Sequence, residues 1–484
     1  MTFDTKAADV QTCPRGSLMA SRFGGLCLIA IAGTAGASEF ESTVSVGVTN
    51  TDNVTLAPVR QESANVLLFR PGFTYTQDSS KLTADVAYRM DAYRYKERSE
   101  NKVYNLLNAD ISFGMVPDRL FLDFGGSRSQ TTLDPEGTIA FDNLAITSNR
   151  VNRDDLYAGP SFQVPVGDDV LVNGDFRRTW VRYGDELSAV GTLKDYESDA
   201  AGLSVDNYRK GVGLSWAARY VYQNVDYGLP LVSPYRYQQA YAELGYWVGE
   251  GTRLFVAAGK ESPWDRPLDS TLSDTFWEAG VARQAGERFR AELAVGDRSF
   301  GSSWRGKLDY DFNRGTVALS YNETPTTSAN DRFSGTGLLD PEQPNDYLFR
   351  AGSAERYIAK RLEWSLNLKW ERYDFTVSLF DESRNDRTQV NGAPLANEQQ
   401  SGANLSAAWR PGSRTELHVR AMRADRKFAD GKESNLAATT AGVTYRLGRQ
   451  MRLSFELERR EQAAQTAALS YRENLASVVF VHTF

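Results

Sequence analysis

Cysteine is almost missing from this chain: the two present, Cys13 and Cys27, both fall within the first 37 residues. The rest has no thiol, which excludes a disulfide framework and any thiolate metal site. Neither cysteine sits in a lipobox, so no lipid anchor is expected. Histidine is as scarce, with only His418 and His482. There is no phosphate-cradling glycine loop, dinucleotide fingerprint or metal-ligand spacing, so the sequence offers no grounds for an enzyme, a cofactor or a bound metal. His418 lies between Glu416 and Arg420 with no serine placed beside it, and a serine–histidine hydrolase has no constellation to rest on. Long apolar runs are missing too. Residues 23–37 form the only one, short of the about 20 residues a spanning helix needs. With 41% apolar residues, the chain is not a helical-bundle membrane protein. An excess of positive charge is also absent. The net charge is −7, and it becomes −8 when Lys6, Arg15, Arg22, Asp4 and Asp9 are removed with residues 1–37. That balance excludes a nucleic-acid partner.

What is present begins with an export signal. Arg15 and Arg22 precede an apolar core at 25–32, and Ala35-Gly36-Ala37 fits an A-x-A cleavage site before Ser38. Residues 1–37 are read as a signal peptide, with Met19, which opens a compact Met-Ala-Ser-Arg, as the expected true start. Residues 38–484 are read as one domain.

That domain alternates. Trp304, Gly306, Leu308, Tyr310 and Phe312 face one way and Arg305, Lys307, Asp309, Asp311 and Asn313 the other. Leu362, Trp364, Leu366, Leu368 and Trp370 alternate with Glu363, Ser365, Asn367, Lys369 and Glu371, and Met451, Leu453, Phe455 and Leu457 with Arg452, Ser454, Glu456 and Glu458. Successive strand side chains point to opposite faces, so each segment has one apolar and one strongly polar face. Connections also alternate. Short turns fall near 78–81, 116–119, 167–169, 207–210, 249–252, 286–288, 313–315, 371–374, 411–413 and 448–450. Longer polar loops lie between them, including 51–62, 132–153, 184–195, 263–272, 325–361, 387–401 and 462–470.

Short turns on one side and long loops on the other predict an all-β fold, a transmembrane antiparallel outer-membrane β-barrel of about 22 strands, within a range of 18 to 24. A soluble propeller or sandwich fits less well, because both faces of its strands usually meet other protein. Aromatics near strand ends are expected to form the interfacial girdles: Tyr93 and Tyr95, Trp180 and Tyr183, Tyr220 and Tyr222, Tyr246 and Trp247. The last strand carries an assembly signal in Phe480, His482 and Phe484, with His482 toward lipid. Its reader is the barrel-assembly machinery.

The first strand starts close to Ser38, so no plug domain is expected. A barrel this wide cannot fill its interior with wall side chains, and loops 132–153 and 325–361 are the expected constriction. The expected lumen lining comprises Asp85, Arg89 and Asp91; Arg290, Glu292 and Arg298; Arg305, Lys307 and Asp309; and Glu416, His418 and Arg420. Such residues serve either to hydrogen-bond a hydrated solute or simply as ion-pair ladders along the wall.

Short motifs narrow the context. Thr51-Asp52-Asn53-Val54-Thr55-Leu56-Ala57-Pro58, then Arg70-Pro71-Gly72-Phe73 and Tyr88-Arg89 with Tyr93-Arg94-Tyr95, resemble the opening of the outer-membrane β-barrel proteins associated with PEP-CTERM/exosortase exopolysaccharide systems. Lys360-Arg361-Leu362 with Ser365-Leu366, and Phe375 with Ser378-Leu379-Phe380 and Arg384, resemble that family's later paired strands. The resemblance implies a Gram-negative outer-membrane protein serving polysaccharide export or biofilm matrix, and it carries over no functional residues. The function expected is a porin-like channel for exopolysaccharide or other polar solutes. The alternative is a structural or adhesion barrel whose loops bind matrix while the lumen stays shut. Expected partners are outer-membrane lipid and lipopolysaccharide, polysaccharide, and periplasmic export components.

Overall fold

The computed structural model describes residues 37–484 apart from 97, 99, 185–194, 208–212, 229–233, 267–271, 328–354 and 390–393. The signal peptide, but for its last residue, and most of the loop at 325–361 therefore lie outside the described residues. Twenty-two strands follow one another: β1 Ala37–Thr51, β2 Ala64–Asp78, β3 Leu82–Tyr95, β4 Asn101–Val116, β5 Leu120–Thr132, β6 Arg150–Val166, β7 Val170–Tyr183, β8 Tyr196–Asn207, β9 Gly213–Asp226, β10 Tyr235–Trp247 and β11 Thr252–Glu261. The second half runs β12 Asp274–Ala285, β13 Phe289–Arg298, β14 Gly301–Phe312, β15 Gly315–Thr327, β16 Glu355–Lys369, β17 Tyr373–Gln389, β18 Glu398–Trp409, β19 Thr415–Lys427, β20 Glu433–Arg446, β21 Met451–Ala464 and β22 Tyr471–Thr483.

Each strand pairs antiparallel with its sequence neighbour. The sheet closes where Val44 to Val48 of β1 meet His482 to Val478 of β22. Closure leaves no unpaired edge, the condition for a sheet to cross a bilayer. The period-2 pattern sets the register. Leu308 opposes Leu319, and Leu366 opposes Val317, all on the outer face. A one-residue slip would turn that apolar row into the lumen. At the turn end, Gly167 and Gly286 adopt φ of 65° and 62°, which tight hairpins demand and side chains resist.

Two expectations are corrected. The strands run further than the turn chemistry suggested at the long-loop end: β6 already begins at Arg150, β16 at Glu355, and β17 continues to Gln389. Polar residues there read as loop, but cross-strand ion pairs carry the ladder beyond the bilayer. Arg387 bridges Glu355 at 2.7 Å and Glu398 at 2.9 Å. The girdle assignment also fails in part. Trp180, Tyr220 and Tyr246 oppose Glu197, Leu203 and Leu254 on the outer face, whereas Tyr93, Tyr95 and Tyr183 point inward and are buried. Parity decides: each belongs to the odd-numbered inner set of its strand, where incoming loop residues cover it.

The buried core accordingly lies inside the wall. Large apolar side chains such as Leu156, Val256, Leu293 and Leu457 are exposed on the outside, where hydrocarbon replaces water. Three buried apolar clusters sit on the inner face near the long-loop end.

Candidate functional site

The connection between β5 and β6, residues 133–149, folds inward as a strap. Its sequence prepares this: Ile139-Ala140-Phe141 and Leu144-Ala145-Ile146 are apolar triplets in an otherwise polar loop. Ile139, Ala140, Phe141 and Ala145 pack on Ala424 of β19, Leu436 and Ala438 of β20 and Tyr471 of β22. Leu144 packs among Val66 and Leu68 of β2, Tyr93 and Tyr95 of β3 and Leu475 of β22. The strap thus leaves the wall at β5–β6 and lands on β19–β22 and β1–β3, crossing the lumen as a chord. Residues 52–63, between β1 and β2, fold in beside it: Val54 and Leu56 join the same clusters, and the Val54 carbonyl accepts a bond of 2.7 Å from the Ile146 amide.

Hydrogen bonds fix the strap to the wall. Gln462 accepts from the Ile139 amide at 2.8 Å and donates to the Gly137 carbonyl at 3.0 Å. The Tyr471 hydroxyl donates to the Ile139 carbonyl and the Tyr95 hydroxyl to the Leu144 carbonyl, both at 2.6 Å. Arg426 donates to the Pro135 carbonyl at 2.8 Å. Backbone polar groups that water would otherwise serve are therefore satisfied by wall side chains. At the base Asn149 closes the loop, donating to the carbonyls of Asp134 and Thr138 at 2.7 and 2.9 Å.

One ion network clamps the strap's centre. Asp142 meets Arg460 at 2.7 Å, and Arg460 also meets Glu458 at 2.8 Å and Glu473 at 3.4 Å. Arg150 donates to the Asp142 carbonyl. Burial by itself raises the Asp142 carboxyl, but the charge and hydrogen bond of Arg460 overcome it and hold the group below the ordinary carboxylate value. A neighbouring triad on the wall joins Arg70 and Arg89 to Asp91 at 3.2 and 2.9 Å.

The residues singled out as lumen lining all lie on the face opposite the exposed apolar rows, grouped as follows. Arg89 meets Asp91, while Asp85 opposes Asp110 across β4 with no ion pair among the described residues. Arg305 bridges Glu292 and, at 2.6 Å, Glu278; Lys307 reaches Asp309 at 3.3 Å and Arg290 reaches Asp311 at 3.8 Å. Arg298 binds Glu261 at 2.8 Å. Glu416 takes Arg410 at 3.0 Å, and His418 meets Glu456 at 3.1 Å across Gly442, while Arg420 forms no salt bridge among the described residues. At the seam, His482 packs on Phe484 with ring centroids 4.2 Å apart, on the outer row that includes Phe480. No group of three or more His, Cys, Asp or Glu among the described residues is placed to hold a metal ion.

Sequence reasoning missed the anchors Gln462, Tyr471 and Arg460: Gln462 fell in the expected loop at 462–470, and nothing singled out the other two. The two apolar triplets of the strap were the available signal, since a loop facing only water has no use for them.

A closed antiparallel barrel with a lipid-compatible outside, short turns at one rim and long loops at the other is an outer-membrane β-barrel of a Gram-negative bacterium. No family model and no curated protein matches the chain. Among solved structures it is similar to the siderophore receptor PirA from Pseudomonas aeruginosa, at 11% identity over 93% of this chain and 81% of that one, with a TM-score of 0.45. It is also similar to the outer membrane protein OpdK from Pseudomonas aeruginosa (10% identity, 92% and 99% covered, TM-score 0.36) and to OccAB2 from Acinetobacter baumannii (10% identity, 92% and 98% covered, TM-score 0.36).

Proposed function

We propose that this barrel is a porin-like channel for hydrated, hydroxyl-rich solutes, and that it serves export of an exopolysaccharide. The observation carrying this reading is the strap. A loop laid into the lumen and clamped by Asp142–Arg460 supports a narrowed passage, and the rest of the inner wall presents charges of both signs. Such a wall exchanges hydrogen bonds with hydroxyl groups as water leaves them, and its balanced charge sets no strong ion preference. The chemistry is passage, with no catalytic step.

Reconstitution in planar bilayers tests it. The expected result is stable single-channel conductance that added neutral or acidic oligosaccharide blocks in a concentration-dependent way. Silent bilayers from correctly folded protein would instead support the adhesion reading, which the apolar clusters filling the loop end favour. In that case the loops, not the lumen, would bind matrix.

A further inference from the structure

The turn-side rim is electrically divided. From β14 to β21 it carries Arg314, Lys369, Arg372, Arg414, Arg446 and Arg449, all exposed and none with an ion-pair partner among the described residues. Of the acids on this arc, Asp374 and Glu416 are both bridged by Arg410, while Glu371, exposed in the turn between β16 and β17, has no ion-pair partner among the described residues. Among the described residues, the arc under β1 to β11 instead exposes Glu39, Glu41, Asp78, Asp118, Asp168 and Glu250, interrupted by Lys81 and Arg119, while the turn carrying Arg209 and Lys210 lies outside the described residues. Unpaired like charges this close repel one another, and an exposed rim gains nothing in stability from collecting them.

Directly above the basic arc the outer wall is hollow. Small residues on its lipid-facing row, Ala407 of β18 and Ala441 of β20, lie between Trp409 and Phe455, and the hollow of about 1540 Å³ is mostly apolar. Its mouth at the rim is lined by Arg314 and Arg372, with Glu371 beside them and Lys369 on the inward row that includes Asn367. Tyr373 stacks on Trp409 beside it, with centroids 6.2 Å apart, marking the depth of the bilayer interface.

We propose that this hollow is a binding site for an anionic phospholipid of the periplasmic leaflet. An apolar recess that opens into hydrocarbon takes an acyl chain. Free guanidinium groups at its headgroup end take a phosphate, which they match in geometry and charge. The short turns put the site at the periplasmic face, so the occupant is a glycerophospholipid rather than lipopolysaccharide of the opposite leaflet. The assignment does not depend on what passes through the lumen. A soluble acidic protein would also be drawn to the arginines but would have no use for the hollow, and this separates the two.

The test is native mass spectrometry of the full-length mature barrel released from vesicles of equal phosphatidylglycerol and phosphatidylcholine. Wild type is expected to retain phosphatidylglycerol in preference to phosphatidylcholine. Arg314→Gln with Arg372→Gln should reduce that preference by about fivefold for each charge removed. Ala441→Leu, which fills the hollow and leaves every charge in place, should weaken retention as well. Heat-modifiable migration on gels shows which variants fold. Should the double arginine variant not fold, high salt on wild type provides the same comparison, expected to erase the preference. Equal retention of both lipids by wild type would overturn the proposal. So would Ala441→Leu binding like wild type, which would leave only a headgroup or acidic-protein attraction.

Discussion

Arg460 is the residue on which the lumen's arrangement turns, because three carboxylates share its charge. Replacing it with Met leaves Asp142, Glu458 and Glu473 without their common cation, at a cost of about 3–5 kcal/mol. We expect a lower urea midpoint for the refolded barrel. Asp142→Asn is milder, about 1–3 kcal/mol, since Arg460 keeps Glu458 and Glu473. Its readout is conductance, which should rise and become noisier as the strap loosens. The same clamp has a pH signature. A carboxyl held below its ordinary value contributes stability above that value and loses it as pH falls. Acid loss of the Asp142 contact should therefore come only as pH falls below the ordinary carboxylate range, and Asp142→Asn should abolish that part of the acid response. Gly442 makes a second residue-scale prediction. A Cβ there would lie 2.5 Å from His418 Nε2 and 2.9 Å from the Glu456 side chain. Gly442→Val should separate that pair and cost about 1–3 kcal/mol through overpacking, measured by denaturant unfolding.

At the scale of the element, the strand register makes the sharpest prediction. Leu308 and Leu366 face outward, and Asp309 and Asn367 inward. Arginine at either leucine should lower stability by roughly 2–4 kcal/mol, and at either polar neighbour by little. Heat-modifiable migration scores both, and equal tolerance would mean the faces are exchanged. The strap is the other element to test. Replacing residues 137–147 by a short Gly/Ser linker removes both apolar triplets while sparing Asp134 and Asn149 at its base. The barrel should still fold, since its ladder does not pass through the strap, and conductance should rise. An unchanged conductance in a folded variant would remove the strap from the pore.

At the scale of the whole molecule, wall and contents are specified differently. Most wall strands were legible in the chain: each apolar row at period 2, such as Met451 to Leu457, states which face meets lipid, and each short turn states where the chain reverses. Those are local facts, because a strand's two faces and a hairpin's geometry depend on residues a few positions apart. The range of 18 to 24 strands narrowed to 22 only when β1 and β22 were seen to pair, since closure is a contact between chain ends.

What the sequence could not show is what the inner face touches. Tyr93, Tyr95 and Tyr183 had the composition of a membrane girdle, and although the parity Tyr93 and Tyr95 share with Arg89 and Asp91 turns them inward, nothing in their strands names the loop residues that bury them. Gln462 fell in the expected loop at 462–470 and Arg460 was not singled out, because their partners Ile139 and Asp142 lie more than three hundred positions away in the chain. The division of the rim into basic and acidic arcs likewise appears only when turns far apart in sequence are set around one circle. Periodicity determined the barrel because hydrophobic burial acts on every second residue wherever it stands. The lumen's constriction was decided by tertiary structure, because a loop's resting place depends on partners that no local pattern names.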